Sequence, residues 1–329
     1  MSDPVVIGPN QPADRFYRGG PRIAAFRGLP ASGNRVPEDW VGSATTLAGD
    51  SSMGLTLLPD GVTLRDAIFA DPVGWLGAEH VARFGADPML LVKLLDAGQR
   101  LPVHAHPDGD FAGTHLGRSH GKAEAWYLLE SGVVHLGLIR EVGAGELADL
   151  VASQDTATLL GLLHRIEVAT GDTVFVPAGT LHAIGAGLLL AEVQEPEDLS
   201  ILLEWRDFAL DGVRDGHLGL GFPLALSAVD RTGRSADEVA AWVTHGMTGS
   251  TLTSEADRYF RLDHLVVDGT ADAAPGFAIA IGIAGELEVS GTGIRIQRGT
   301  TVILPAAAGE LRLRGQGEVL ICRPPDPRS

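Results

Sequence analysis

The sequence predicts a mainly β protein made of two related β-barrels of jelly-roll type, with a helical insertion in the first. Three observations lead there. Short apolar, β-branched runs alternate with turn residues, and glycine and proline are abundant, at 43 and 19 of 329 residues; this composition favours many short strands over a helix bundle. Only a few stretches change to helical spacing. Finally, the chain repeats itself. Gly171 is followed after five residues by Pro177, then by Gly179 and His182; Gly299 is followed after five residues by Pro305, and Glu310 stands where His182 would be. The second copy keeps the turn and strand pattern without the histidine.

The elements follow in order. Residues 1–60 are rich in Gly and Pro and read as strands and loops. Residues 63–84 read as helical, with Thr63 as a cap and Pro72 ending one helix and starting the next. Leu90 to Leu95 is a buried strand, Asp96-Ala97-Gly98 a turn, and Leu101 to His106 a second strand. Residues 123–140 form a hairpin around Glu130-Ser131-Gly132, residues 145–165 a helical pair, and 166–206 further strands. A connecting segment, 207–257, contains one helical stretch at Ser235 to Met247, and β runs resume from 258 to the end. The expected domains are therefore 1–206, the connection 207–257, and 258–329.

Lys and Arg number 25 against 42 Asp and Glu, a formal charge of −17. Such a surface argues against nucleic-acid binding, which needs Lys and Arg to neutralise phosphates. An anionic ligand would need a local cationic pocket. Lysine occurs only twice, at Lys93 and Lys122. Cys322 is the single cysteine, so no intrachain disulfide forms. No apolar run reaches the ~18 residues of a membrane span, and the N-terminus lacks a basic, then apolar, leader. The expectation is a cytoplasmic protein without membrane or nucleic-acid partners, of unspecified oligomeric state.

His104 and His106 carry the first chemical signal. On a strand, residues i and i+2 face the same way, so two imidazoles can reach one ion. Glu124 follows after a loop, and His182 comes from far along the chain. Three imidazoles and a carboxylate, without thiolate, suit zinc or another divalent first-row metal. Glu310 in place of the histidine leaves the second barrel without this site.

The spacing from Gly171 to His182 reproduces the second motif of the cupin superfamily, and His104-x-His106 opens the first. A closer likeness covers roughly residues 17–206. LLVKLLDAGQRLPVHAHPD, GKAEAWYLLE and GDTVFVPAGTLHAIGAGLLLAEVQ resemble three blocks of type I mannose-6-phosphate isomerase in its short bacterial form. PEDWVGSATTLAG and TLRDAIFADPVGWLG resemble its early block and first helix.

That resemblance implies a metal-dependent aldose–ketose isomerase converting mannose 6-phosphate to fructose 6-phosphate through a cis-enediol. It implies the ligands His104, His106, Glu124 and His182, with His104 standing where the family has Gln. It places Lys122 in the site, for substrate binding or proton transfer, and Glu192 and Asp198 at positions of site acids. Leu202 stands where the family has a catalytic arginine. Arg206 is the nearest substitute; Arg118 and Ser119, with His120, are candidates for binding an anion, and Arg100 is a further cation nearby. The leucine leaves other readings open: an isomerase of a non-phosphorylated or other sugar, a non-catalytic sugar-binding cupin, or an iron-dependent oxygenase.

Overall fold

The computed structural model describes residues 3–30 and 33–328. Among the described residues, eighteen strands run in chain order: β1 (Val5–Ile7), β2 (Glu38–Val41), β3 (Leu91–Asp96), β4 (His104–Ala105), β5 (Glu124–Leu128), β6 (Gly132–Leu138), β7 (Leu163–Val168), β8 (Thr173–Val176), β9 (His182–Ile184), β10 (Leu189–Gln194), β11 (Ile201–Leu202), β12 (Val243–Thr244), β13 (Gly249–Ser250), β14 (Arg261–Ala273), β15 (Ala278–Val289), β16 (Ile294–Gln297), β17 (Thr301–Leu304) and β18 (Leu311–Arg323).

Two antiparallel sheets build the first cupin barrel. One has the order β12-β8-β5-β10-β3-β2, the other β11-β4-β9-β6-β7. A third, seven-stranded sheet makes the second barrel, in the order β1-β17-β15-β18-β14-β13 with β16 paired to β15. The N-terminal strand β1 thus completes the C-terminal sheet, pairing Val5 with Ile303.

Strand alternation joins the barrels. On β15, Ala278 and Ala280 face the interior of the second barrel, whereas Ile279 and Ile281 pack into the large core of the first. Each fully buried Ile or Leu at this seam contributes roughly 1.5–3 kcal/mol.

The predicted helices at 63–84 are Leu64–Ala70, Pro72–Leu76 and Ala78–Phe84. Thr63 accepts a hydrogen bond from the Asp66 amide, and Pro72 occupies the first turn of the second helix, where its missing N–H costs nothing. The helical insertion is Ala144–Ser153 and Thr156–Gly161. From Leu163 the chain is β7 rather than helix, because it pairs along β6 and tertiary pairing overrides local spacing.

Three further details differ from the sequence reading. Of Leu101 to His106, only His104–Ala105 is laddered; the Val103 amide donates instead to the Glu204 carboxylate at 2.9 Å. Gly109–Leu116 is a helix capped by Asp108, which accepts from the Phe111 amide. In the connecting segment, Ser235 forms a capping box with Glu238, but the helix stops at Ala240 and Val243–Thr244 becomes β12. Among the described residues, no helix is long and apolar enough to cross a membrane.

Candidate metal centre

His104 and His182 are directly paired neighbours on β4 and β9. His106 lies two residues beyond His104, on the same face, while Ala105 between them points into the opposite core. The Gly179 amide donates to the His106 carbonyl at 2.7 Å, and Gly179 has φ +83°. Glycine is suited to that left-handed turn, which aims β9 and His182 into the barrel.

Each imidazole is oriented from behind. His104 Nδ1 lies 2.8 Å from the Pro102 carbonyl, His106 Nδ1 2.6 Å from the Leu199 carbonyl, and His182 Nδ1 2.8 Å from the Thr180 carbonyl. A carbonyl only accepts, so each Nδ1 carries the proton and each Nε2 keeps its lone pair. The three rings offer ligand atoms within 4.8 Å of one another, and all three are buried. Among the described residues, His182 Nε2 has no hydrogen-bond partner. Backbone-oriented imidazoles with convergent, unprotonated nitrogens are the arrangement a divalent ion needs.

Glu124 closes the group. Its Oε2 is 3.1 Å from His106 Nε2, and its Oε1 is 3.3 Å from His182 Nε2. Trp126, two residues along the same strand, donates its indole N–H to Oε1 at 3.1 Å. Lys122 Nζ sits 2.9 Å from Glu124 Oε2 and 3.2 Å from His106 Nε2.

The electrostatics follow from burial and these neighbours. Burial, then Lys122, pushes His106 down to about 3. Burial and the adjoining histidines hold His104 well below its ordinary value. For Lys122, burial opposes the charge, yet Glu124 and Glu192 keep its pKa above the usual lysine value. Burial also works against the Glu124 charge, but Lys122 and His106 hold its pKa well down. Burial and the Glu124 charge push Glu192 up.

Beside this group lies a small cavity of about 40 Å³. His104, Lys122, Glu192 and Asp198 line it, as predicted site residues; Leu202 does too. Arg15, Glu38 and Lys93, which the sequence reading did not assign, also line it. Register explains Lys93 and Glu192: they are paired neighbours on β3 and β10, with Trp126 on the other side of Glu192. A signal for Lys93 existed, since the chain has only two lysines and both face this cavity. Arg15 and Glu38 carried no local signal.

Other candidates lie elsewhere. Arg118 and Ser119 line a neighbouring surface cleft of about 420 Å³, with Arg65, His120 and Glu197. Arg206 is not brought to the cavity: its guanidinium donates to the Ser153 carbonyl at the surface. Arg100 is committed to Glu204, at 2.8 and 2.5 Å. Among the described residues, these three histidines are the only group of three or more such side chains with ligand atoms this close together.

A bicupin with a buried, inward-facing histidine cluster in its first barrel defines the class of this protein. The comparisons narrow it. No family model matches the chain. It is 26% identical over 303 residues to the mannose-6-phosphate isomerase of Streptococcus mutans, covering 88% of this chain and 92% of that one. It is 30% identical over 241 residues to the mannose-6-phosphate isomerase ManA of Bacillus subtilis, covering 70% and 74%. The crystal structure of a mannose 6-phosphate isomerase from Bacillus subtilis superposes with a TM-score of 0.75 at 25% identity, over 97% of this chain and 99% of that one. The chain belongs to the mannose-6-phosphate isomerase family of enzymes.

Proposed function

We propose that the protein is a metal-dependent aldose–ketose isomerase that interconverts mannose 6-phosphate and fructose 6-phosphate through a cis-enediol. The observation that carries this reading is the convergence of three oriented imidazoles beside a buried lysine and a buried carboxyl group, Glu192, whose pKa is raised by burial. The names of its relatives support the substrate.

His104, His106, Glu124 and His182 would hold the ion, zinc or another divalent first-row metal. Its donor set of nitrogen and oxygen fits such an ion, which when bound polarises sugar oxygens. The chain's own residues supply the rest. Lys122, kept cationic by Glu124, donates to substrate oxygens at the reacting end. Glu192, whose pKa burial raises, is suited to take and return the proton that moves between C1 and C2. Asp198 lines the same wall and orients sugar hydroxyls. Arg118 and Ser119 lie in the adjoining cleft, at the approach rather than beside the reacting carbons.

The test is fructose 6-phosphate formation by purified protein, before and after chelation and after adding back zinc, cobalt or manganese. Absence of turnover with every metal rejects the reading. A second reading, an isomerase of a non-phosphorylated sugar, is favoured by one observation: Leu202, an uncharged side chain, lines the cavity. Comparing kcat/KM for mannose and mannose 6-phosphate decides between them.

A further inference from the structure

Three cations bound the inner cavity, and they differ in what holds them. Lys122 is committed to Glu124 at 2.9 Å. Lys93 lies 4.7 Å from the Trp40 ring centroid, 3.6 Å from Glu192 and 3.8 Å from Glu38. Both lysines are nearly sealed, with side chains 6% and 4% exposed.

Arg15 is different. Its side chain is 14% exposed, and it spends one nitrogen on Glu38, from Nε to Oε1 at 2.9 Å. Among the described residues, no hydrogen bond engages its two terminal nitrogens. Glu38 is in turn fixed by the Tyr17 hydroxyl and the Trp40 indole N–H, each at 2.7 Å. The guanidinium is therefore anchored along one edge, and the other edge keeps two parallel N–H prongs. That edge matches an oxyanion with two oxygens, in a way that an ammonium point charge does not.

We propose that Arg15 is a specificity-determining residue that recognises the anionic end of the substrate, the phosphate of a sugar phosphate. This rests on the isomerase reading above. It assigns the phosphate to the N-terminal segment, at the cavity that Leu202 also lines, and leaves Lys122 and Glu192 to the reacting carbons. Ligand pockets run to ~300–1,000 Å³, so the cavity of about 40 Å³ must widen to admit a hexose phosphate. The Arg15–Tyr17 stretch is one of the wall segments outside regular secondary structure, tied by bonds such as Arg15 amide to Arg35 carbonyl and Ala209 amide to Phe16 carbonyl.

The experiment compares wild type, Arg15→Gln and Arg15→Lys, with mannose 6-phosphate and mannose as substrates and inorganic phosphate as inhibitor. In Arg15→Gln, KM for the phosphosugar is expected to rise roughly 10- to 100-fold, with a similar weakening of phosphate inhibition. Its kcat should stay within about threefold, and its kcat/KM for mannose unchanged. Arg15→Lys keeps the charge but not the fork, so it should fall between the two. An unchanged KM for the phosphosugar, or equal losses on both sugars, overturns the proposal. If Arg15→Gln does not fold, Arg15→Lys decides: phosphate inhibition equal to that of the wild type overturns it. Wild type is assayed first; if it turns over no phosphosugar, the isomerase reading itself has failed, separately from any effect of Arg15.

Discussion

Lys122 Nζ and Glu124 Oε2 lie 2.9 Å apart, and the same carboxylate faces two histidines at 3.1 and 3.3 Å. In the proposed site, one carboxylate would thus serve both the lysine and the ion. Glu124→Gln removes an anionic ligand and strands the Lys122 charge in the interior. Breaking a buried pair this way costs about 3–5 kcal/mol. The expected outcome is loss of bound metal in elemental analysis together with a lowered melting temperature. A variant that binds metal and melts like wild type contradicts this.

Trp126 offers a milder test of the same carboxylate. Its indole N–H donates to Glu124 Oε1, and the ring is fully buried. Trp126→Phe keeps most of the apolar volume and deletes the donor. Partners behind ligands typically tune affinity 10- to 100-fold. A competition titration with a chelator should show metal affinity lower by about that factor, with secondary structure unchanged.

Glu192 couples stability to pH. Burial, with the Glu124 charge, raises its folded-state pKa above that of the unfolded chain. Its contribution is thus fully present below the unfolded value of about 4.3 and is lost as pH rises through the folded value. Glu192→Gln stays neutral throughout. It should melt close to wild type near pH 4 and above it near pH 8, while turnover falls roughly 10²- to 10⁴-fold. Melting curves at the two pH values, alongside the isomerase assay, check both halves.

Outside the cavity, His120 and Asp87 form an ion pair at 2.8 Å. Burial opposes both charges, yet each partner holds the other ionised, so the histidine pKa is raised and the aspartate pKa lowered. The aspartate's share is present above about pH 4 and lost as pH falls through its folded value; the histidine's is present below about pH 6.5 and lost as pH rises through its folded value. His120→Ala should therefore destabilise more at pH 5.5 than at pH 9, by no more than about 1 kcal/mol, since Asp87 is a third exposed. Denaturant unfolding at the two pH values measures the difference; equal deficits refute it.

The sequence by itself determined what depends on short spacings. His104-x-His106 and Lys122-x-Glu124 are i, i+2 spacings, which strand alternation reads as one face; in the structure β4 covers only His104–Ala105 and β5 begins at Glu124, so His106 and Lys122 flank the strands. The turn chemistry from Gly171 through Pro177 and Gly179 marked where His182 must emerge. The helices at 63–84 were legible because Thr63 and Pro72 punctuate them.

Only the tertiary structure decided what converges from distant segments. The pairing of Lys93 with Glu192 is a matter of register between β3 and β10, which barrel closure sets and local pattern does not. Arg15 reaches the cavity because Glu38 holds it there. Arg206 follows Leu202 closely in sequence, yet β11 ends at Leu202 and strand alternation no longer applies beyond it. The spacings of His104-x-His106 and of Gly171 to His182 could be read because they are local; the cations around the histidines could not, because their positions depend on how the barrel closes.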